Sequence, residues 1–249
     1  MPLDTTRTAA PHAKPLPPDA ECDVLVIGGG PAGSTTAALL AERGRRVVVV
    51  EKDLHPRFHI GESLLPQNLR VFDRLGLRED LARIGVFKPG AAFVSDDHER
   101  KHVAFPFAEA TNRDYTHSYQ VKRADFDEML FRNAAARGAE THEGMRVTEV
   151  ALDAANGSRV TAEDAEGNAR TWRARFVVDA SGRDTFLAGR MGSKQRNGRN
   201  NTAALFGHFK GVATRDGSAE EDGYIGIHLF EHGWFWFIPL QGGIMSVGV

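Results

Sequence analysis

The sequence predicts an α/β fold organised around a parallel sheet, and three neighbouring segments carry that prediction. Cys22-Asp23-Val24-Leu25-Val26-Ile27 is a short apolar run that stops at glycines, the pattern of a strand buried on both faces. Pro31 to Arg43 is rich in small and apolar helix formers and meets a stop at Gly44. Arg46-Val47-Val48-Val49-Val50-Glu51 is a second apolar run of the same kind. Strand, helix and strand in that order make a βαβ unit with a right-handed crossover.

The remaining elements follow from the same rules. Pro56 to Pro66 reads as a loop, followed by short helices around Asn68 to Leu75 and Leu77 to Ile84. Ala91 to Val94 and Lys101 to Ala104 are expected to pair as a hairpin across Asp96-Asp97-His98. Ala124 to Arg137 has Phe126, Met129, Leu130 and Ala134 on one helical face, with Gly138 as its stop. Turns at Asn156-Gly157 and Glu166-Gly167 separate strand-like segments, as in a three-stranded antiparallel meander. Arg175 to Ala180 is then expected as a return to a buried strand. Beyond Thr202 the pattern is strand-rich, with Tyr224 to Phe230, Gly233 to Ile238 and Ile244 to Val249 as the clearest runs.

Composition narrows the functional classes. The chain has 249 residues, 41% of them hydrophobic, which is enough for a sizeable core. Its 31 Lys and Arg nearly balance 33 Asp and Glu, so no global positive field points to nucleic acid. Small-molecule chemistry is the expectation. Cys22 is the single cysteine, which leaves neither an intramolecular disulfide nor a Cys-rich metal site, and the remaining His residues lack a ligand spacing. No transmembrane run is evident, and a reducing, cytoplasmic setting is expected. Residues 1–20, rich in Pro, read as a disordered leader.

Gly28, Gly30 and Gly33 form G-x-G-x-x-G where the first strand meets the first helix. Gly28 permits the tight turn, Gly30 lets a pyrophosphate approach the backbone, and Gly33 lets helix and strand pack closely. A helix N-terminus there offers free N–H groups and a favourable dipole to phosphate. Glu51 closes the second strand, where it is placed to accept hydrogen bonds from a ribose.

Gly28-Gly29-Gly30-Pro31-Ala32-Gly33 resembles the FAD fingerprint of the glutathione-reductase-like flavoproteins, and Val177-Val178-Asp179-Ala180-Ser181-Gly182-Arg183 resembles their second flavin segment. Arg57-Phe58-His59-Ile60-Gly61-Glu62-Ser63-Leu64-Leu65-Pro66 is similar to the flavin-contacting loop of flavin-dependent halogenases of the phenol and pyrrole type. Trp234-Phe235-Trp236-Phe237-Ile238-Pro239 matches W-x-W-x-I-P, by which halogenases are recognised. The resemblance runs from about Asp23 to the C-terminus. It implies a glutathione-reductase-like FAD-binding fold, a parallel sheet plus β-meander, joined to the start of an antiparallel-sheet substrate domain. The boundaries expected are 21–85 and 123–192 for the FAD-binding parts, 86–122 for a substrate-side insertion and 193–249 for the substrate domain.

The resemblance also implies residue roles. Gly28, Gly30, Pro31, Ala32, Gly33, Glu51, Lys52, Arg57, Ile60, Gly61, Glu62, Ser63, Val147, Asp179, Ser181 and Gly182 would contact the cofactor. Arg123 opens the long helix and either touches the flavin nucleotide or is a solvated helix-start cation. Asp179 is a flavin residue or an ordinary turn cap, and Glu62-Ser63 a flavin contact or a helix cap. Trp234, Trp236, Ile238 and Pro239 would wall the substrate from the flavin, or simply form one buried strand face. His55 and His59 are loop polar groups, and no metal is assigned. Lys88, in Phe87-Lys88-Pro89-Gly90-Ala91, is the expected catalytic lysine, holding hypohalous acid and aiming it at an electron-rich arene; the bland alternative is a solvated surface charge. A separate flavin reductase would supply reduced FAD, halide would be a co-substrate, and the aromatic substrate would be free or tethered to a carrier protein. The rivals are a flavin oxidoreductase of the same superfamily, either a prenyl reductase or a hydroxylating monooxygenase, and a non-catalytic FAD-binding module. No Gly-Asp dipeptide occurs, so the third flavin motif of the family is missing and the chain reads as C-terminally truncated.

Overall fold

The computed structural model describes residues 20–95, 101–195, 197–198, 202–212 and 222–249. The leader, apart from Ala20, and the hairpin turn at Asp96-Asp97-His98 lie outside these residues. The first apolar run forms β1, Ala20–Ile27, the next helix is α1, Pro31–Ala41, and the second run is β2, Val47–Val50. β1 pairs in parallel with β2, which pairs in parallel with β7, Glu140–His142. On its other side β1 pairs in parallel with β10, Ala169–Asp179. Antiparallel partners β9, Ser158–Glu163, and β8, Arg146–Ala151, complete a six-stranded sheet.

Alternation along the strands divides the core in two. Val24, Val26, Val47 and Val49 point to one face, where they meet Ala37 and Ala38 of α1 and Phe126, Leu130 and Phe131 of α4, Arg123–Ala136. Leu25, Ile27, Val48 and Val50 point to the other and meet Val147, Val160, Ala162 and Trp172 of the meander. A strand covered on both sides has to be apolar at every position, which is why both runs lack polar alternation.

The expected return strand at Arg175 to Ala180 needs correction. Arg175 to Asp179 continue the third meander strand as the single 11-residue β10, and Phe176 is 65% exposed. The strand outruns its antiparallel partner, whose pairing ends at Ala174, and only the parallel contact with β1 carries it to Asp179.

A second six-stranded sheet has the order β11 (Phe206–Lys210), β14 (Ile244–Gly248), β13 (Gly233–Leu240), β12 (Ile225–Phe230), β4 (Gly90–Ser95) and β5 (Lys101–Pro106). It is mixed rather than antiparallel throughout, because β12 and β4 run parallel. That pairing joins strands from 86–122 to strands from 193–249. Two strands that the sequence pattern leaves unassigned, β3 (Gly85–Lys88) and β6 (Ser118–Val121), pair antiparallel beside it. The helices α2, Pro66–Arg74, and α3, Arg78–Ile84, lie where they are expected.

Candidate functional site

The turn between β1 and α1 is built by close packing. Gly28 has φ +102°, and a Cβ there would lie 2.6 Å from the Ala180 carbonyl oxygen of the loop after β10. A Cβ on Gly33 would lie 1.9 Å from the Gly28 oxygen, so the helix sits on the turn with no room for a side chain. Gly29, given no role in the sequence reading, is equally constrained: a Cβ would meet the Phe131 ring at 2.7 Å. Gly30 differs. Its nearest neighbour would be Arg57 Nη2 at 3.6 Å, an ordinary contact, and its φ is −72°. Nothing within the protein requires glycine there. No side chain caps α1 at Gly30, and Pro31 is its first residue.

Glu51 is 4% exposed and its carboxylate is engaged. Oε2 accepts the Gly29 N–H at 2.6 Å and Arg57 Nη2 at 3.3 Å, and Oε1 accepts the Asp53 N–H at 3.0 Å. Burial works to raise its pKa, but the Asp53 and Gly29 N–H bonds and the Arg57 guanidinium outweigh it and hold the carboxyl below its ordinary value. Arg57 also donates to Asp127 Oδ2 at 3.0 Å, and Asp127 receives Arg123 at 2.7 and 2.9 Å. Arg123 Nη1 donates to the Ile60 carbonyl at 2.6 Å. This chain of ion pairs ties the glycine turn to the 56–65 loop. Asp127, fully buried at its centre, escaped the sequence reading, although Arg123 and Asp127 at i,i+4 on a helix were visible.

Other residues expected at a cofactor are used locally. Both oxygens of Asp179 serve its own loop: Oδ1 accepts from the Ser181 N–H and hydroxyl, and Oδ2 accepts the Leu187 N–H at 2.8 Å. That is the cap geometry, with Gly182 at φ +65° in the same loop. Lys52 pairs with Asp184 at 2.5 Å on the surface. The Val147 side chain belongs to the core under the meander.

Beyond Gly61, at φ +104°, the loop runs as an added strand along β6: the Val121 N–H donates to the Glu62 carbonyl, the Leu64 N–H to the Tyr119 carbonyl, and Ser63 bridges Gln120. Lys88 reaches it from β3. Its Nζ donates to Ser63 Oγ and to the Leu64 carbonyl, each at 2.8 Å, and lies 5.3 Å from the Phe107 ring centre. The residue is 2% exposed, which excludes the solvated surface reading. Burial pushes its pKa down from 10.5 to about 8.

The same loop faces the second sheet. Pairing of Trp236 with Gly248 and of Gly248 with Phe206, and of Ile238 with Ser246 and of Ser246 with His208, puts all these side chains on one face. Ile60 packs against the cluster of Trp236, Ile238 and Leu240, and Phe58 stacks on Phe206 at 6.0 Å. His208 Nε2 meets Glu62 Oε1 at 2.6 Å, and Glu62, 1% exposed, leaves Oε2 buried without a partner. The helix-cap reading of Glu62 is thereby corrected: it bridges to a strand. Trp236 is 9% exposed and donates from Nε1 to Ser246 Oγ at 3.3 Å, whereas Trp234 is 48% exposed. Pro239 lies on the opposite face, paired with Met245. A recess of about 460 Å³ lined by Glu21, Arg46, Asn156 and Arg173 opens at the far end of β1 from the glycines and belongs to neither part of this site.

The family model described as "FAD binding domain" matches residues 21–230. The chain belongs to the FAD-binding-domain family. Its cofactor is FAD. Among curated relatives, a flavin-dependent halogenase of Armillaria mellea is 34% identical, over 91% of this chain and 46% of the relative. A 1H-pyrrole-2-carbonyl-[peptidyl-carrier protein] chlorinase of Pseudomonas fluorescens is 32% identical, over 93% of this chain and 56% of the relative. A solved flavoprotein/dehydrogenase from Cytophaga hutchinsonii superposes with a TM-score of 0.82 at 34% identity, covering 92% of this chain and 55% of that one. Halogenases recur among the other solved neighbours. The chain spans about half the length of the curated relatives it matches.

The FAD-binding domain gives the open side of Gly30 a reason. A residue kept free of a Cβ where the protein leaves space suits a diphosphate approaching the backbone at an uncapped helix end. Gly30, Ala32 and Gly33 would hold it, with Glu51 toward a ribose. Among the described residues no helix is long and apolar enough to cross a membrane, and no group of three or more His, Cys, Asp or Glu is placed to hold a metal.

Proposed function

We propose that this flavoprotein is an FAD-dependent halogenase acting on an electron-rich aromatic substrate of the phenol or pyrrole type. The observation that carries the reading is Lys88: a buried amine fixed to the backbone and hydroxyl of the loop that faces the second sheet. When bound, reduced FAD supplies the two electrons that, with oxygen and halide, yield hypohalous acid. The protein's part is to hold and shield. As a neutral amine Lys88 has two N–H groups, and Ser63 Oγ and the Leu64 carbonyl accept both, so its lone pair is left to face the electrophilic halogen. A pKa of about 8 makes that form accessible near neutral pH. Trp236, Ile238 and Ile60 form an apolar cluster against the loop, which excludes water from a reactive oxidant.

Reduced FAD would come from a separate flavin reductase, halide from solution, and the cytoplasm is the proposed setting. The carrier-protein substrate of the Pseudomonas relative favours a tethered arene over a free one. Incubation of a version extended to the full length of the relatives with reduced FAD, oxygen, bromide and phenol or pyrrole candidates is expected to give a brominated product by mass spectrometry, whereas the 249-residue chain alone is expected to be inactive. Hydroxylated product alone would replace the halogenase reading with a monooxygenase. The dehydrogenase description of the Cytophaga neighbour favours that wider oxidoreductase class as the second reading, for which product would form without halide.

A further inference from the structure

The face of β3 and β6 that carries Lys88 holds two more buried polar side chains. Ser118 lies directly opposite Lys88, Gln120 follows two residues along on the same face, and Ser63 is bridged to Gln120 from the other side. Ser118 and Gln120 are both fully buried, yet Ser118 Oγ and Gln120 Oε1 have no hydrogen-bond partner. The orientation of the amide is fixed, because Gln120 Nε2 donates to the Gly223 carbonyl at 3.3 Å and only the nitrogen can do so. Two unsatisfied atoms on one buried face are rare in folded proteins and point to an occupant. One is an acceptor and the other a hydroxyl, and neither is charged.

We propose that Ser118 and Gln120 are the binding residues of a polar subsite beside Lys88 that takes a small neutral hydroxylic molecule, the hypohalous acid of the proposed reaction. Gln120 Oε1 accepts its O–H proton and the Ser118 hydroxyl donates to its oxygen. The halogen is then free to face the Lys88 amine. Two neutral partners suit the acid rather than hypohalite anion, which would gain nothing from an amide oxygen. The identity of the ligand rests on the halogenase reading; the subsite rests on the two unpartnered atoms.

The first test needs no cofactor. The chain without FAD is treated with dilute hypochlorous acid, and N-chlorination is followed on the Lys88 and Lys52 peptides by mass spectrometry. The step is balanced: Nζ–H and O–Cl bonds break, Nζ–Cl and O–H bonds form, water leaves, and chlorine remains at the same oxidation level. Ser118→Ala and Gln120→Met are each expected to slow chlorination of Lys88 about tenfold, the effect of one lost hydrogen bond, with Lys52 unchanged as the internal standard. Ser118→Thr, which keeps the hydroxyl, restores the rate, and it keeps the test decisive should Ala or Met disturb folding as read by circular dichroism. Equal Lys88 rates in wild type and folded variants overturn the subsite and leave a structural water as its occupant. The second test runs turnover, in a version extended to the full length of the relatives, with bromide, an aromatic substrate and a β-diketone trap. A higher ratio of trapped oxidant to brominated product in the variants supports the proposal. An unchanged ratio in a wild type that brominates overturns the subsite alone, and a wild type giving neither product nor trapped oxidant overturns the halogenase reading together with the ligand's identity.

Discussion

The two halves of the site are made of different materials. At the end of the parallel sheet, the working surface is backbone: glycines, a helix terminus and a turn whose geometry is set by what cannot fit. At the 56–65 loop it is side chain: Lys88 on Ser63 and Leu64, Glu62 on His208, and Asp127 between Arg57 and Arg123. At Gly28, Gly29 and Gly33 the turn therefore tolerates no added atom, Gly30 alone of its four glycines being open, while the loop tolerates no lost partner. A backbone site is broken by overpacking and a side-chain site by orphaning a charge.

The largest effects should come from orphaning. Asp127 is fully buried between Arg57 and Arg123, so Asp127→Asn leaves two partly buried guanidinium groups short of counter-charge, Arg57 keeping only its longer contact to Glu51. A loss of about 3–5 kcal/mol in unfolding free energy is expected. A urea titration showing less than about 1 kcal/mol would mean that the ion-pair chain is solvated and does not fasten the loop.

Next comes a matched pair on the backbone side. Gly33→Ala puts a carbon 1.9 Å from the Gly28 oxygen, and it is expected to cost about 1–3 kcal/mol or more, with FAD affinity lost along with the packing. Gly30→Ala meets only the tip of Arg57, so stability should stay within about 1 kcal/mol of wild type. FAD affinity, read by quenching of flavin fluorescence, should nevertheless fall about tenfold or more, because the methyl occupies the diphosphate's approach. A Gly30→Ala chain that binds FAD as wild type does would remove the diphosphate from this turn.

The contrast between the halves also explains what the sequence could reveal. The βαβ unit, the glycine turn, the long helix and the Trp-bearing strand are local patterns, readable because spacing within a few residues fixes them. Gly29 was missed because its constraint is the Phe131 ring on α4, and β3 and β6 because four-residue strands carry too few alternations to register. Ser118, Gln120 and His208 were beyond reach for a stronger reason. Glu62 finds His208 at a separation of 146 residues, and Lys88 finds Ser63 through the intervening β6. Such meetings are properties of the sheet order, not of any motif. Phe176 shows the converse: an apolar run that looks buried is exposed where none of the described residues covers it.

Lys88 sharpens the comparison through pH, since Glu51 at the glycine turn is held below its ordinary carboxyl value and does not titrate in the range of an amine. Burial lowers its pKa from 10.5 to about 8, so between those values the unfolded chain binds more protons than the folded one. Stability should rise with pH through that window, by an amount on the order of 3 kcal/mol, and be flat in this respect below pH 8. Lys88→Met should abolish the rise, and should also abolish halogenation. Denaturant midpoints for the two proteins that run parallel from pH 8 to 10.5 would show that the amine is hydrated and its lone pair turned to water.

The smallest effect tests whether the tryptophans are one feature or two. They share a strand face, 5.8 Å apart between ring centres, but Trp236 is buried with its N–H on Ser246 while Trp234 is half exposed. Trp236→Phe gives up that hydrogen bond and part of the cluster with Ile60, so a loss of about 1–2 kcal/mol is expected. Trp234→Phe should change stability by no more than about 0.5 kcal/mol, as surface substitutions do. If Trp234 nonetheless walls the substrate from the cofactor, the folded and equally stable Trp234→Phe protein should release hydroxylated or unhalogenated product in place of haloarene. Should its product ratio match wild type, the recognisable spacing of the two indoles would reflect the packing of Trp236 alone, and the side-chain half of the site would not include Trp234.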